Sequence, residues 1–220
     1  DSPLTEQILN KEKEQSFSKY IKFQIDGLTM IRDTLPKNKS LIGFVGGPYT
    51  LYQFAQRHPQ SKNHLLGNFL PVIEKILEDN IDLQFSVDLD LLMIFDTEAQ
   101  HLSFDQFDQS VKPFIEKIAF KYPGKVGYFT KDVDDEKFKS IKSINGLKLT
   151  VVGSNQDIFS KLSSTDLSLQ GNFPNEYLAA ESTKDFKNHL TNFIKYVKDQ
   201  DLSNRAGWIC SLDHGVLKTT

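Results

Sequence analysis

Residues 90–122 read DLLMIFDTEAQHLSFDQFDQSVKPFIEKIAFKY and hold one complete structural unit. Leu91 to Phe95 is an apolar run of strand length with no polar alternation. Such a run fits a strand covered on both faces, as in parallel sheets. It stops at Asp96-Thr97-Glu98. Ser103 then offers a helix cap, and Phe107, Val111, Phe114, Ile115 and Ile118 follow at helical spacing up to Tyr122. The stretch is a strand followed by an amphipathic helix.

The same alternation extends both ways along the chain. The strand candidates are LIGFVGG (41–47), DLLMIFDT (90–97), KVGYFTK (125–131), LKLTVVG (147–153), LSLQGN (167–172) and GWICSL (207–212). Helical stripes occupy 12–35, 63–82, 103–122 and 182–200, and Asn155-Gln156-Asp157 can open a short helix. Ser182 or Thr183 caps the last stripe, and Pro71 implies a break or kink in the second. Six strand–helix repeats make an α/β protein with a parallel sheet. An open doubly wound sheet accommodates six strands in this length. A closed (β/α)8 barrel takes eight strands and about 250 residues. The count favours the open sheet, and the residues alone leave both architectures open. No G-x-G-x-x-G follows the first strand, which argues against a dinucleotide fold.

Composition excludes several function classes. The 220 residues are 39% hydrophobic, enough for a packed core, and the net charge of −3 advertises neither nucleic acid nor a membrane surface. The arginines, Arg32, Arg57 and Arg205, are scattered. No apolar run is long enough to span a bilayer, and no signal peptide is visible. One cysteine, Cys210, rules out an internal disulfide framework and fits a cytoplasmic, reducing setting. His58, His64, His101, His189 and His214 lack the H-x-C, H-E-x-x-H or C-x-x-C spacing of a metal site, and no G-x-S-x-G occurs.

Sites in parallel α/β folds collect at the carboxyl ends of strands. Here those ends are Gly46-Gly47-Pro48-Tyr49, Asp96-Thr97-Glu98, Thr130-Lys131-Asp132, Ser154-Asn155, Gln170-Gly171-Asn172 and Asp213-His214-Gly215. Each residue also has a structural reading. Thr97 can cap the next turn, Asp96 can accept backbone N–H groups, Asn172 can be a turn residue, and His214 can be a hydrogen-bonded histidine.

Five of these segments carry a resemblance. LIGFVGGPYTLYQFA (41–55), MIFDTEAQHLSFDQFDQSVKPFIEKI (93–118), YFTKD (128–132), LSLQGNFP (167–174) and ICSLDHGVLKTT (209–220) resemble the uroporphyrinogen decarboxylase family, in order and at fitting spacings. The resemblance implies a (β/α)8 TIM-type barrel of which this chain holds about six βα units, strands three to eight, as a single incomplete domain over 1–220. The family's first two strands, with an arginine-rich R-Q-A-G-R segment and an acidic F-S-D segment, have no counterpart, and neither has its C-terminal helix. The chain therefore reads as the interior part of a longer protein. A six-stranded remnant is expected to expose sheet edges and part of the barrel core.

The resemblance implies a lyase of haem biosynthesis. It would convert the four acetate arms of uroporphyrinogen to methyls, giving coproporphyrinogen, without metal or organic cofactor. It also implies a cytoplasmic homodimer. His214 matches the family's H-G histidine, which contacts a substrate carboxylate. Thr97 matches the Ser or Thr that donates a hydrogen bond to substrate. Phe54 stands where the family has a tyrosine, with Tyr52 two residues earlier. Asp213 replaces a glycine and puts a negative charge beside a polyanion's site. The catalytic arginines and aspartate belong to the missing segment, so no catalytic residue is assigned. A non-catalytic tetrapyrrole-binding relative is the alternative. A corrinoid methyltransferase-type barrel is a further one, but it needs a His-x-Cys where this chain has YFTKD.

Overall fold

The computed structural model describes residues 18–59, 66–131, 133–213 and 215–216. In chain order the elements are α1 (Ser18–Thr34), β1 (Ile42–Gly46), α2 (Pro48–Arg57), α3 (Leu66–Phe85), β2 (Leu91–Phe95), a 3₁₀ turn (Thr97–His101), α4 (Phe104–Ser110) and α5 (Lys112–Lys121). Then come β3 (Val126–Phe129), α6 (Asp135–Lys142), β4 (Leu147–Val151), α7 (Ile158–Leu162), β5 (Ser168–Phe173), 3₁₀ turns at Asn175–Ala179 and Ser203–Arg205 flanking α8 (Thr183–Lys198), and β6 (Trp208–Leu212). Each strand predicted from the sequence is present; five are shorter by one to three residues, and β5 keeps six residues but moves one position on, from 167–172 to Ser168–Phe173. The contacts divide the chain into two compact units. One holds α1–α5 and β1–β3. The other holds α6, β4 from Lys148 onward, α7, β5, α8 and β6.

In the first unit β1, β2 and β3 run parallel, with Ile42 opposite Leu91, Gly46 opposite Phe95, and Phe95 opposite Phe129. Leu92, Ile94, Val126 and Tyr128 are fully buried. Ile73, Leu77 and Ile81, one turn apart on α3, supply the stripe that covers this core. α3 runs unbroken through Pro71. The expected break does not occur: Pro71 is the sixth residue of the helix, and its missing N–H removes one i→i−4 bond without ending the helix. The helix expected over 103–122 is instead divided at Val111 into α4 and α5. Pro113, which has no N–H to continue the ladder, sits at the start of the second piece. Ser103 and Gln106 form a reciprocal capping box on α4. Gly146 has φ +83°, and any Cβ there would come within 2.5 Å of the Ala119 carbonyl oxygen.

Two helices were not foreseen. α2 opens with Pro48 at its first turn, with only Gly47 between it and the end of β1. α6 is short and strongly charged. It is capped by Asp134, which accepts from the Lys137 N–H at 2.8 Å, and it buries Phe138 and Ile141.

One face of β1 is bare. Gly43 and Val45 point inward, whereas Ile42 and Phe44 are 53% and 63% exposed. Phe95 on β2 is also exposed. Apolar composition on both faces does not here mean cover on both faces among the described residues.

In the second unit β4, β5 and β6 run parallel, with Leu149 opposite Ser168 and Leu169 opposite Trp208. α8 docks through rings: Phe173 meets Phe186 and Phe193 edge-on at 6.4 and 5.1 Å, and Phe193 lies 6.3 Å from Trp208. β6 leaves Ile209 and Cys210 exposed.

Candidate functional site

In the first unit the ends of β1 and β2 are joined around a buried carboxyl. Gly47, Pro48 and the first turn of α2 follow β1, and Asp96 follows β2. The α2 N-cap is Gly47, which has no side chain to accept the orphan N–H groups of the helix start. Asp96 supplies the missing acceptor from across the unit: its Oδ1 takes the Thr50 N–H at 2.6 Å. The residue is completely buried. Burial pushes its carboxyl up to about 6; the Thr50 hydroxyl and the Thr50 and Tyr49 amides pull the other way. A Cβ on Gly47 would fall inside this carboxyl group, so glycine is required there. The structural reading of Asp96, an acceptor for backbone N–H groups, is the one observed.

Thr97 begins the 3₁₀ turn and is half-buried. It is flanked by two anchors to α2. On one side is the Asp96 carboxyl. On the other, the Glu98 N–H donates to Thr50 Oγ1 at 3.0 Å and the Glu98 carboxylate pairs with Arg57. Phe54 lies one turn beyond Thr50 on the same helix and is 54% exposed. Phe54, Arg57, His58 and Pro59 line a hollow of about 370 Å³. Tyr52 stacks on Tyr49, ring centroids 5.8 Å apart, and burial raises the Tyr52 phenol.

Beside these residues the strands present a row of rings that the sequence reading did not single out. Phe44, Phe95 and Phe129, one from each strand, sit 6.2 and 5.5 Å apart in succession. The signal was present in the three apolar segments, but only the register shows that the rings adjoin. Beneath them Tyr128 is fully buried, and burial together with the Asp96 charge raises its phenol far above the usual range.

In the second unit the strand ends are fastened by amides. Asn172 Nδ2 donates to the carbonyls of Gly153 and Gln156 at 3.1 and 2.8 Å, holding the loop after β4. Asn175 donates its backbone N–H to Asp213 Oδ1 at 2.9 Å and its Nδ2 to the Gly215 carbonyl at 2.7 Å. His214 lies outside the described residues, but the residues on both sides of it are tied to Asn175. Asp213, read from sequence as a charge facing the site, has one oxygen committed to this turn. Among the described residues no group of three His, Cys, Asp or Glu side chains is arranged to hold a metal ion, and no helix is long and apolar enough to cross a membrane.

A family model described as Uroporphyrinogen decarboxylase (URO-D) matches residues 2–220. The chain belongs to the uroporphyrinogen decarboxylase family. Curated relatives named uroporphyrinogen decarboxylase include one from Campylobacter jejuni strain 81-176, 27% identical over 240 residues, covering 99% of this chain and 66% of the relative. Another, from the Wolbachia of Brugia malayi, is 28% identical over 213 residues, covering 89% and 58%. The chain thus spans about two thirds or less of the length of these relatives. Among solved structures it is similar to a methyltransferase from Methanosarcina mazei, with TM-score 0.57, 17% identity and coverage of 75% of this chain and 54% of that one. It is also similar to a vitamin-B12-independent methionine synthase from Listeria monocytogenes, described as putative, with TM-score 0.57, 11% identity and coverage of 89% and 63%. At such identities these likenesses concern the fold alone: α/β, of the (β/α)8 barrel type, with six strands in this chain and, among the described residues, helices after the first five.

Proposed function

We propose that the protein to which this chain belongs is a cofactor-independent uroporphyrinogen decarboxylase, and that residues 1–220 form one incomplete barrel domain of it. The observation that carries this reading is the family match over residues 2–220, and the ring row beside Thr97 supports it. A reduced tetrapyrrole is a broad, largely apolar ring bearing eight carboxylates at its rim. Exposed Phe44 and Phe95 offer an apolar face for the ring, and the Thr97 hydroxyl is a donor at its border.

The reaction needs little from the protein. Protonation of a pyrrole carbon makes a cation that serves as electron sink. The bond from the acetate methylene to its carboxylate breaks, the electron pair enters the ring, and CO2 leaves. A proton added at the methylene then gives the methyl, and the ring loses the proton it gained. The protein must bind the carboxylates and stabilise the passing cation. In this assignment Thr97 donates to substrate and His214 holds a carboxylate. A histidine with an ordinary pKa near 6.5 is drawn to its charged form by such a partner. Phe54 contributes apolar surface where the family has a hydroxyl. The remaining carboxylate-binding arginines would come from sequence outside this chain. The reading also takes the protein to be a cytoplasmic homodimer, on the family resemblance.

Anaerobic incubation of the full-length protein with uroporphyrinogen III, with CO2 release measured, tests the proposal. Release of up to four CO2 per macrocycle, slowed at least tenfold by His214→Ala, supports it. No release from folded protein overturns it. In that event a tetrapyrrole-binding relative is the better description, a reading that Phe54 in place of tyrosine favours.

A further inference from the structure

We propose that Asp96 is a positioning residue of the candidate site, holding Thr97 at a fixed place against the helix that carries Phe54. This rests on the proposed function and adds to it a residue that touches no substrate.

Three observations converge on Asp96. The first is the division of labour at the helix start. Gly47 cannot cap α2, and a Cβ at that position would collide with the Asp96 carboxyl, so the chain has kept the N-cap empty and placed the acceptor just after β2. The second is the bracket around Thr97. Residue 96 reaches α2 through its side chain, and residue 98 reaches the same residue, Thr50, through its backbone. Two fasteners on consecutive flanks leave the intervening residue little freedom. The Arg57–Glu98 pair adds a third tie from the far end of α2. The third is the cost of the arrangement. Asp96 Oδ2 is buried without a hydrogen-bond partner, Tyr128 faces the carboxyl from β3, and Glu98 adds a second negative charge from the 3₁₀ turn. A carboxyl that only filled space would be replaced by a neutral side chain without loss. One that positions Thr97 must keep an acceptor where Oδ1 stands.

A buried Asp96→Ala variant leaves the Thr50 N–H without its acceptor. Asp96→Asn keeps an acceptor oxygen of the same reach and removes the charge. The experiment uses full-length protein and two readouts. The first is hydrogen–deuterium exchange over residues 48–57 and 97–101. The second is KM and kcat for uroporphyrinogen III in Asp96→Ala, Asp96→Asn, Thr97→Val and the Asp96→Ala/Thr97→Val double variant. The expected result is faster exchange of both segments in Asp96→Ala, near wild-type exchange in Asp96→Asn, and a loss in kcat/KM of about tenfold for Asp96→Ala that the Asn variant restores to within about threefold. The double variant should be no worse than the worse single one, because Asp96 acts through Thr97. Multiplicative losses in the double variant, or an Asn variant as impaired as the Ala one, overturn the proposal. If the wild-type chain neither binds nor converts porphyrinogen, the proposed function falls, and exchange alone decides: unaltered exchange at 97–101 in Asp96→Ala rejects the positioning role.

Discussion

In the first unit the segment after β2 is held by a fully buried carboxyl, Asp96. In the second, the segments after β4 and β5 are held mainly by the amides of Asn172 and Asn175, each less than a tenth exposed. An amide brings donors and an acceptor and carries no charge, so its burial is met by ordinary hydrogen bonds. A carboxylate is a stronger acceptor, but its burial works against its own ionisation. The same architectural task, fixing polar loops at strand ends, therefore rests on a carboxyl of raised pKa in one unit and mainly on uncharged amides in the other.

The contrast is broken most severely at Gly47. Gly47→Ala should destabilise the first unit by about 3 kcal/mol, because the new methyl falls on the Asp96 carboxyl. Chemical denaturation read from a fluorescent probe in each unit will show it.

The next largest effect is one of pH. Folded Asp96 titrates at about 6, above the ordinary value of 3.8 that it has when unfolded. Between those values the folded chain keeps a proton that the unfolded chain has lost. Stability from this group is thus fully present below about pH 4 and falls as pH rises towards 6, by about 2–3 kcal/mol in all. Denaturation curves at pH 4, 5, 6 and 7 should show this decline in the wild type and its absence in Asp96→Asn. Tyr128, raised still further by burial, stays neutral throughout.

Asn172→Ala should cost the second unit about 2 kcal/mol, since it frees two carbonyls at Gly153 and Gln156. That cost should not change between pH 5 and 7. Smallest of all, Gly215→Ala should shift stability by less than about 0.5 kcal/mol, because a Cβ there meets no atom within 4 Å. A large effect would mean that the backbone at Gly215 is packed more tightly than its fastening to Asn175 implies.

Much of this was legible in the sequence for local reasons. Strand identity rests on short apolar runs closed by polar residues, and all six were readable. Ser103, Asp157 and Ser182 cap the helices that begin after them, as their chemistry suggests. What escaped depends on distance along the chain. The Asp96–Thr50 bond spans 46 residues and the Asp213–Asn175 bond 38, and no periodicity encodes either. The bare face of β1 is equally hidden, because Ile42 and Phe44 have the composition of core residues and only their neighbours decide whether they are covered. α6 was missed because its eight residues are mostly charged and bury only a narrow stripe.

The most direct test of the functional account is product analysis after anaerobic incubation of full-length protein with uroporphyrinogen III, comparing wild type with Thr97→Val and Phe54→Tyr. The account predicts a ladder of seven-, six-, five- and four-carboxylate products in the wild type. It should be slowed about tenfold by Thr97→Val, and Phe54→Tyr should leave it unchanged or hasten it. Unaltered eight-carboxylate substrate in all three, with each protein folded, would contradict the account.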